Sequence, residues 1–204
     1  MKDGIVTEVK EFETWCHNFK EAGDRIVALD ASKVVVYENG KLLHTSEKAC
    51  YGRYTLTVHA NKAYFVNQDG TPPDYLRNLI EVDLLTFEEK TIVPNVWSYD
   101  GLPGDRSFVA VSKAGIVSAS EGRVLDLKLV FPKLNPKECR WTTLLSLGRF
   151  AVLAGYSDHD IVSGSILPKK HNFLLLIDLN KLTVVNQQQP LAMEWIEAKG
   201  TSVI

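Results

Sequence analysis

The densest run of potential ligands in this chain is Tyr156-Ser157-Asp158-His159-Asp160. Carboxylate oxygens from Asp158 and Asp160 with the His159 imidazole beside them form a donor set for a divalent cation, but residues adjacent in sequence rarely all point at one ion. No glutamate follows at calcium-loop spacing. The plainer reading is a solvated connection leading into Ser163-Gly164-Ser165, and long loops on a rigid scaffold often carry binding. Tyr156, Asp158 and His159 are therefore expected to bind a partner, with no metal and no cofactor.

A second candidate is the stretch Trp97-Ser98-Tyr99-Asp100-Gly101-Leu102-Pro103-Gly104-Asp105-Arg106. Its aromatics, its carboxylates and Arg106 suit a recognition surface, and Asp100 with Asp105 are the material of an acid/base pair. Glycine, proline and aspartate are equally what a tight linker needs. Trp97, Tyr99, Asp100 and Arg106 are expected as binding residues. Nucleophilic catalysis has little support, because the chain has no Gly-x-Ser-x-Gly elbow and no phosphate-cradling glycine loop, and its five histidines lack metal spacing. Cys16 and His17 are neighbours, which on a helix diverge by about 100° and cannot form a dyad. The reading leans away from an enzyme.

Composition narrows the classes further. In a chain of 204 residues, 45% hydrophobic, 23 basic and 25 acidic residues are interspersed for a formal charge of −2. No basic stripe is present to neutralise a phosphate backbone, so nucleic acid is not expected as a partner. No run approaches the roughly 20 apolar residues that span a bilayer, and the first residues lack the apolar core of a signal peptide. No membrane association is expected, and the expected compartment is cytoplasmic. Cys16, Cys50 and Cys139 are odd in number and far apart, which suits neither a disulfide framework nor a zinc site.

The elements that must carry these residues are repetitive. Read from Ile26, IVALDASKVVVYENGKLL aligns without a gap with FVAVSKAGIVSASEGRVL from Phe108. NKAYFV from Asn61 aligns with GRFAVL from Gly148, and VDLLTFEEKTIV from Val82 with IDLNKLTVVNQQ from Ile177. The units run approximately 24–50, 51–93, 105–135 and 140–188, each of about 40 to 45 residues, the length of a four-stranded blade. Their short Val-, Ile- and Leu-rich runs alternate with turn residues, which argues for all-β structure. Tyr37-Glu38-Asn39-Gly40-Lys41 is the clearest hairpin, since Asn-Gly supplies the two positive φ angles of a type I′ turn. Its partner Ser120-Glu121-Gly122-Arg123 replaces the Asn and should turn less tightly or by another turn type.

Residues 7–22 read differently. Val6, Val9, Phe12, Trp15, Cys16 and Phe19 recur at three- and four-residue steps, which predicts a short amphipathic helix with Gly23 as its terminating residue. The expected organisation is a helical segment over 1–23 and one all-β repeat domain over 24–204, with Trp15 and Phe19 available to dock a partner.

Ser118-Ala119-Ser120-Glu121-Gly122-Arg123-Val124 looks like the middle strands and turn of a WD-repeat blade. Leu174-Leu175-Leu176-Ile177-Asp178-Leu179 and Leu79-Ile80-Glu81-Val82-Asp83-Leu84 look like the aliphatic-Asp-Leu strand end found in WD-repeat and kelch proteins. On these residues the chain resembles a β-propeller repeat protein, partial or four-bladed, although it has no Trp-Asp pair, no Gly-His and no kelch-type Gly-Gly doublet. The resemblance implies a non-catalytic protein–protein interaction scaffold within a larger assembly. Its partners would be other proteins, or copies of itself joined through open blade edges. As an alternative, the helix at 7–22 and the tail at 191–200, with Trp195 and Ile196, would cap those faces within the chain. The alternative is a small-ligand binder or hydrolase using the central face of a closed ring, with Asp100, Asp105, Asp158 and His159 as its acidic cluster. The final Thr201-Ser202-Val203-Ile204 fits a Ser/Thr-x-aliphatic ending that peptide-binding domains capture, with a frayed terminus as the plainer reading.

Overall fold

The computed structural model describes residues 16–51, 56–69, 76–101, 108–119 and 122–191. These form four four-stranded sheets, each built from strands in sequence order. The first contains β1 (Cys16–Ala22), β2 (Arg25–Asp30), β3 (Lys33–Glu38) and β4 (Lys41–Ala49). The second contains β5 (Thr57–His59), β6 (Lys62–Asp69), β7 (Leu76–Asp83) and β8 (Glu89–Val93). The third contains β9 (Val96–Gly101), β10 (Phe108–Ser112), β11 (Ile116–Ala119) and β12 (Val124–Asp126). It is followed by a one-turn helix, α1 (Leu127–Val130). The fourth contains β13 (Cys139–Leu147), β14 (Phe150–His159), β15 (Ile166–Asp178) and β16 (Thr183–Leu191). The chain is all-β, a propeller-like array of four antiparallel blades. Among the described residues no helix is long and apolar enough to cross a membrane.

The sequence repeats coincide with these strands. The alignment of Ile26 with Phe108 superposes β2 and β3 on β10 and β11, and the alignment of Asn61 with Gly148 superposes β6 on β14. Asn39 and Gly40 both take positive φ, 51° and 77°, and Glu38 pairs with Lys41 across a two-residue turn. In the second copy the Ala119 N–H reaches the Arg123 carbonyl at 2.9 Å and Gly122 takes φ 69°, while residues 120 and 121 lie outside the described residues.

Residues 16–22 correct the expected helix. They form β1, paired antiparallel with β2 from Ala22↔Arg25 back to Cys16↔Asp30, and Gly23, φ 63°, sits in the turn of that hairpin. The three- and four-residue apolar spacing is overridden because β2 offers β1 a ladder of backbone partners, broken only by a shift in register between Cys16 and Asn18, and strand preference follows such tertiary pairing more than local propensity. Residues 7–15 lie outside the described residues. The blades also begin earlier than the repeat units suggest, at Cys16 and Val96 instead of 24 and 105. The cause is that the stretch assigned to a helix end, and the stretch assigned to a linker, each supply a blade's first strand.

The chain divides into two compact units, Met1–Tyr75 with Leu79–Ile92 and Leu76–Asn78 with Val93–Ile204. In the first, Val27, Leu29, Val34 and Val36 of the first sheet pack with Phe65, Ile80 and Val82 of the second. In the second, Val109, Val111 and Val117 of the third sheet pack with Leu144, Leu153, Leu175 and Ile177 of the fourth, and Leu127 and Phe131 close one side. Trp141 is 1% exposed and meets Phe173 edge-on, with centroids 5.5 Å apart and planes at 80°. This geometry favours an aromatic pair. Neighbouring positions on β2 and β10 are buried whichever way they alternate, which explains why these strands read as continuous apolar runs.

The aliphatic-Asp-Leu strand ends are a turn device. Asp83 Oδ1 accepts the N–H groups of Leu85 and Thr86 at 2.8 and 3.0 Å, and the Asp83 carbonyl accepts that of Phe87 at 2.7 Å. Asp178 does the same for Asn180, Lys181 and Leu182, at 2.8, 3.2 and 2.7 Å. Phe87 and Leu182 are held at φ 61° and 53°, so the carboxylate offsets the cost of a left-handed turn residue. The backbone N–H groups of Thr86 and Leu85 hold the Asp83 carboxyl below its ordinary range.

Candidate functional site

The candidate residues of the second unit are arranged along β13. Near its start, the Arg140 guanidinium lies over the Trp97 ring of β9 at 5.8 Å, and Arg140 stands directly opposite Tyr156 of β14. Arg140 is exposed, while Trp97 and Tyr156 are half-buried. A guanidinium on an indole face gains both quadrupole attraction and orientation. Trp97 and Tyr156, two of the sequence candidates, are thus brought into one row through Arg140, which was not among them.

The acidic and imidazole groups are engaged in structure. His159 Nδ1 lies 2.7 Å from Glu138 Oε2, and the His159 backbone N–H donates to Ser157 Oγ at 3.1 Å. Ser157 is 3% exposed and pairs with Cys139, whose thiol is pushed up to about 11 chiefly by burial. A thiol held there is protonated at neutral pH and a poor nucleophile. Asp160 Oδ1 accepts the N–H groups of Val162 and Ser163, each at 2.8 Å, and the Ser163 and Val162 donors lower its carboxyl. Tyr156–His159 was expected as a solvated connection. It is instead the end of β14, and only Asp160 begins the turn. The reason is that β13 and β15 supply ladder partners, Arg140 and Asn172 for Tyr156 and Cys139 and His171 for Ser157, and β15 alone pairs His159, with Ile166. Among the described residues no group of three or more His, Cys, Asp and Glu side chains gathers as a cation site.

Asp100 lies elsewhere. Its Oδ2 accepts the Ser146 backbone N–H at 2.7 Å and the Ser146 hydroxyl at 2.6 Å, near the far end of β13. Glu138, the carboxylate partner of His159, immediately precedes the strand's first residue, Cys139. From Cys139 to Ser146 an extended strand runs about 20 Å or more. Asp100 and the Asp158–His159 pair therefore do not assemble into the acidic cluster that the ligand-binding alternative requires. Tyr99 is half-buried on β9, and Asp158 is exposed on β14. Phe19, on β1 of the first unit, is 65% exposed. Trp15, Asp105, Arg106 and residues 201–204 lie outside the described residues.

One surface was not singled out from the sequence. On the fourth sheet Leu144, Leu153 and Leu175 face the core, and the alternate positions face away from it. Those positions, Leu145, Val152 and Leu176, form one cross-strand row ending at Asn186, beside a second row of Ala154 and Leu174. A shallow groove of about 190 Å³ lies among Val152, Leu174, Leu175, Leu176, Asn186 and Gln187. Its signal in the sequence was the unbroken LLLI run from Leu174 to Ile177, which is apolar on both faces of a strand.

No family model matches the chain, and no curated protein matches it significantly. Among solved structures, it is similar to the N-terminal domain of Nup159, with 14% identity, a TM-score of 0.49, and coverage of 80% of this chain and 44% of that one. It is similar to the tricorn protease, with 13% identity, a TM-score of 0.49, and coverage of 87% and 18%. It is also similar to the Neurospora crassa Pan2 WD40 domain, with 10% identity, a TM-score of 0.40, and coverage of 84% and 51%. The chain thus spans less than two thirds of each. The functional reading rests on this chain's own residues.

Proposed function

We propose that the chain is a non-catalytic protein–protein interaction scaffold, a cytoplasmic component of a larger assembly. The observation that supports it is the row of exposed Arg140 over Trp97 and opposite Tyr156. Arginine, tryptophan and tyrosine are the side chains that most often dominate protein interfaces, because each offers a large, pre-oriented contact area with a polar handle. Exposed Phe19 on the first unit is a second contact point of the same kind. The carboxylates and the imidazole that catalysis would use are tied to Ser146, to backbone turns and to Glu138.

The test is comparative co-purification. Proteins retained by the unaltered chain should also be retained by Asp158→Ala and lost by Arg140→Glu, with far-UV circular dichroism showing that both variants fold. Retention that survives Arg140→Glu and Phe19→Asp alike would sink this reading.

A further inference from the structure

The four sheets end in β1 and β4, β5 and β8, β9 and β12, and β13 and β16. An end strand offers backbone N–H and C=O groups to any chain that can pair with it, so proteins blunt such edges by shortness or charge. Most of the ends here are blunted. β5 and β12 have three residues each, and β8 has five, beginning Glu89-Lys90. β1 carries Lys20 and Glu21, and β9 carries Asp100. β4 carries Lys41, Glu47 and Lys48, and the Glu47 and Lys48 N–H groups donate to the Glu89 carboxylate at 2.6 and 3.3 Å. β13 carries Arg140 and gives its Ser146 N–H to Asp100.

β16 is both long and uncharged. It runs nine residues, Thr183 to Leu191, without an Asp, Glu, Lys or Arg, and among the described residues its only neighbouring strand is β15. Val185 is 49% exposed, and Asn186 and Gln187 are exposed beside it. Register shifts bend the strand at Val185 and again between Gln188 and Leu191. Between the bends, Asn186, Gln187 and Gln188 keep a regular ladder with Leu176, Leu175 and Leu174, so the straight centre of the strand is the part left open. The sequence allows self-association through open blade edges without naming one. Only the sheet order and the charge on each end strand single out β16.

We propose that two copies of this chain pair through β16, antiparallel about a two-fold axis, so that their fourth sheets become one continuous sheet. The usable run is bounded by Leu182, held at φ 53°, and by Pro190, which has no N–H to donate. The axis therefore falls at the middle residue of that run, Asn186. A second copy is the fitting occupant because a two-fold sets the residue on the axis against itself. A carboxylate or an ammonium there would meet a like charge, whereas an amide is both donor and acceptor and pairs with its own counterpart. Such a contact is isologous and uses up the edge that it needs, so it closes at a dimer.

The experiment is sedimentation velocity of the whole chain, unaltered and carrying Asn186→Lys or Asn186→Glu, with the two variants also mixed. An edge contact is small, so the unaltered chain is expected to dimerise with a Kd of about 100 μM or tighter, within a concentration series reaching about 1 mM. Each variant alone sets like charges together at the axis and is expected to dimerise about tenfold or more weakly. The mixture sets lysine against glutamate and is expected to regain the affinity of the unaltered chain. Asn186 is exposed at the end of the sheet, so both variants are expected to keep the unaltered circular dichroism. If one does not fold, Val185→Lys, at another exposed position of the strand, replaces it in the comparison of single variants. A chain that stays monomeric throughout the series, a dimer that the single variants keep, or a mixture no tighter than its components overturns the proposal. None of these readouts involves another protein, so the outcome is independent of whether the chain is a scaffold.

Discussion

Asp100 and Ser146, 46 residues apart, are joined by two hydrogen bonds to one carboxylate oxygen, at 2.7 Å from the Ser146 backbone N–H and 2.6 Å from its hydroxyl. The carboxylate that the sequence offers as half of an acid/base pair is a strap between β9 of the third sheet and β13 of the fourth. Bonds to an ionised acceptor contribute more than neutral ones, so Asp100→Ala is expected to destabilise the second unit by about 2 kcal/mol and Ser146→Ala by about 1 kcal/mol. Urea unfolding of the two single variants and the double variant checks this. The double variant should lose less than the sum, since both singles break the same bond.

Acid should weaken the fourth sheet through Asp178. Hydrogen bonds from Arg149 and then the N–H groups of Asn180 and Lys181 hold its carboxyl down to about 2, below the usual value of about 3.9 for an unfolded chain. A depressed carboxylate contributes stability that is fully present above the unfolded value and is lost as pH falls through the folded one. The melting temperature of the unaltered chain should therefore fall between roughly pH 5 and pH 2 more steeply than that of Asp178→Asn. The variant should melt lower at pH 7, and the two curves should converge near pH 2. Parallel curves across that range would contradict the assignment.

Gly155 permits the close approach of β13, β14 and Phe173. A Cβ built there meets Phe173 Cζ at 2.6 Å and the Arg140 carbonyl oxygen at 2.7 Å. The ring has little room to yield because Trp141 packs on it, and the carbonyl belongs to a strand backbone. Gly155→Ala is expected to cost about 1–3 kcal/mol, the range for an overpacked core, measured as a drop in the urea midpoint at constant slope.

Binding and stability should separate at Phe19. Its ring is 65% exposed on β1, so Phe19→Asp is expected to leave the unfolding free energy within about 0.5 kcal/mol of the unaltered chain. The same change should weaken co-purification of any partner that uses the first unit. A large loss of stability would show instead that the ring is a packing residue.

Trp141 should behave in the opposite way. Fully buried and edge-on to Phe173, it is expected to cost about 3–5 kcal/mol when replaced by alanine, read as a fall in melting temperature of the whole second unit.

Much of the fold was legible because it is written locally. The Val-rich runs at 26–36 and 108–117 show their strands by β-branching and their turns by Asn39-Gly40 and Gly122. The repeat then shows that one blade pair is used twice. Residues 16–22 and 97–101 were not legible, because their strand state comes from ladders offered by β2 and β10 and not from their own spacing. Of the site, Trp97 and Tyr156 were visible as residue types. Their connection through Arg140 was not, since it depends on β13 passing between them.

The sequence by itself determined the class of structure, its repeating unit and the Asp-based turns, because hydrophobic period, turn chemistry and side chain to backbone bonding all act within a few residues. Only the tertiary structure decided what each polar group does. Whether Asp100 meets Asp158 or Ser146, and whether Leu174 faces a core or an open groove, depends on strand register, where a shift of one residue moves every side chain to the other face.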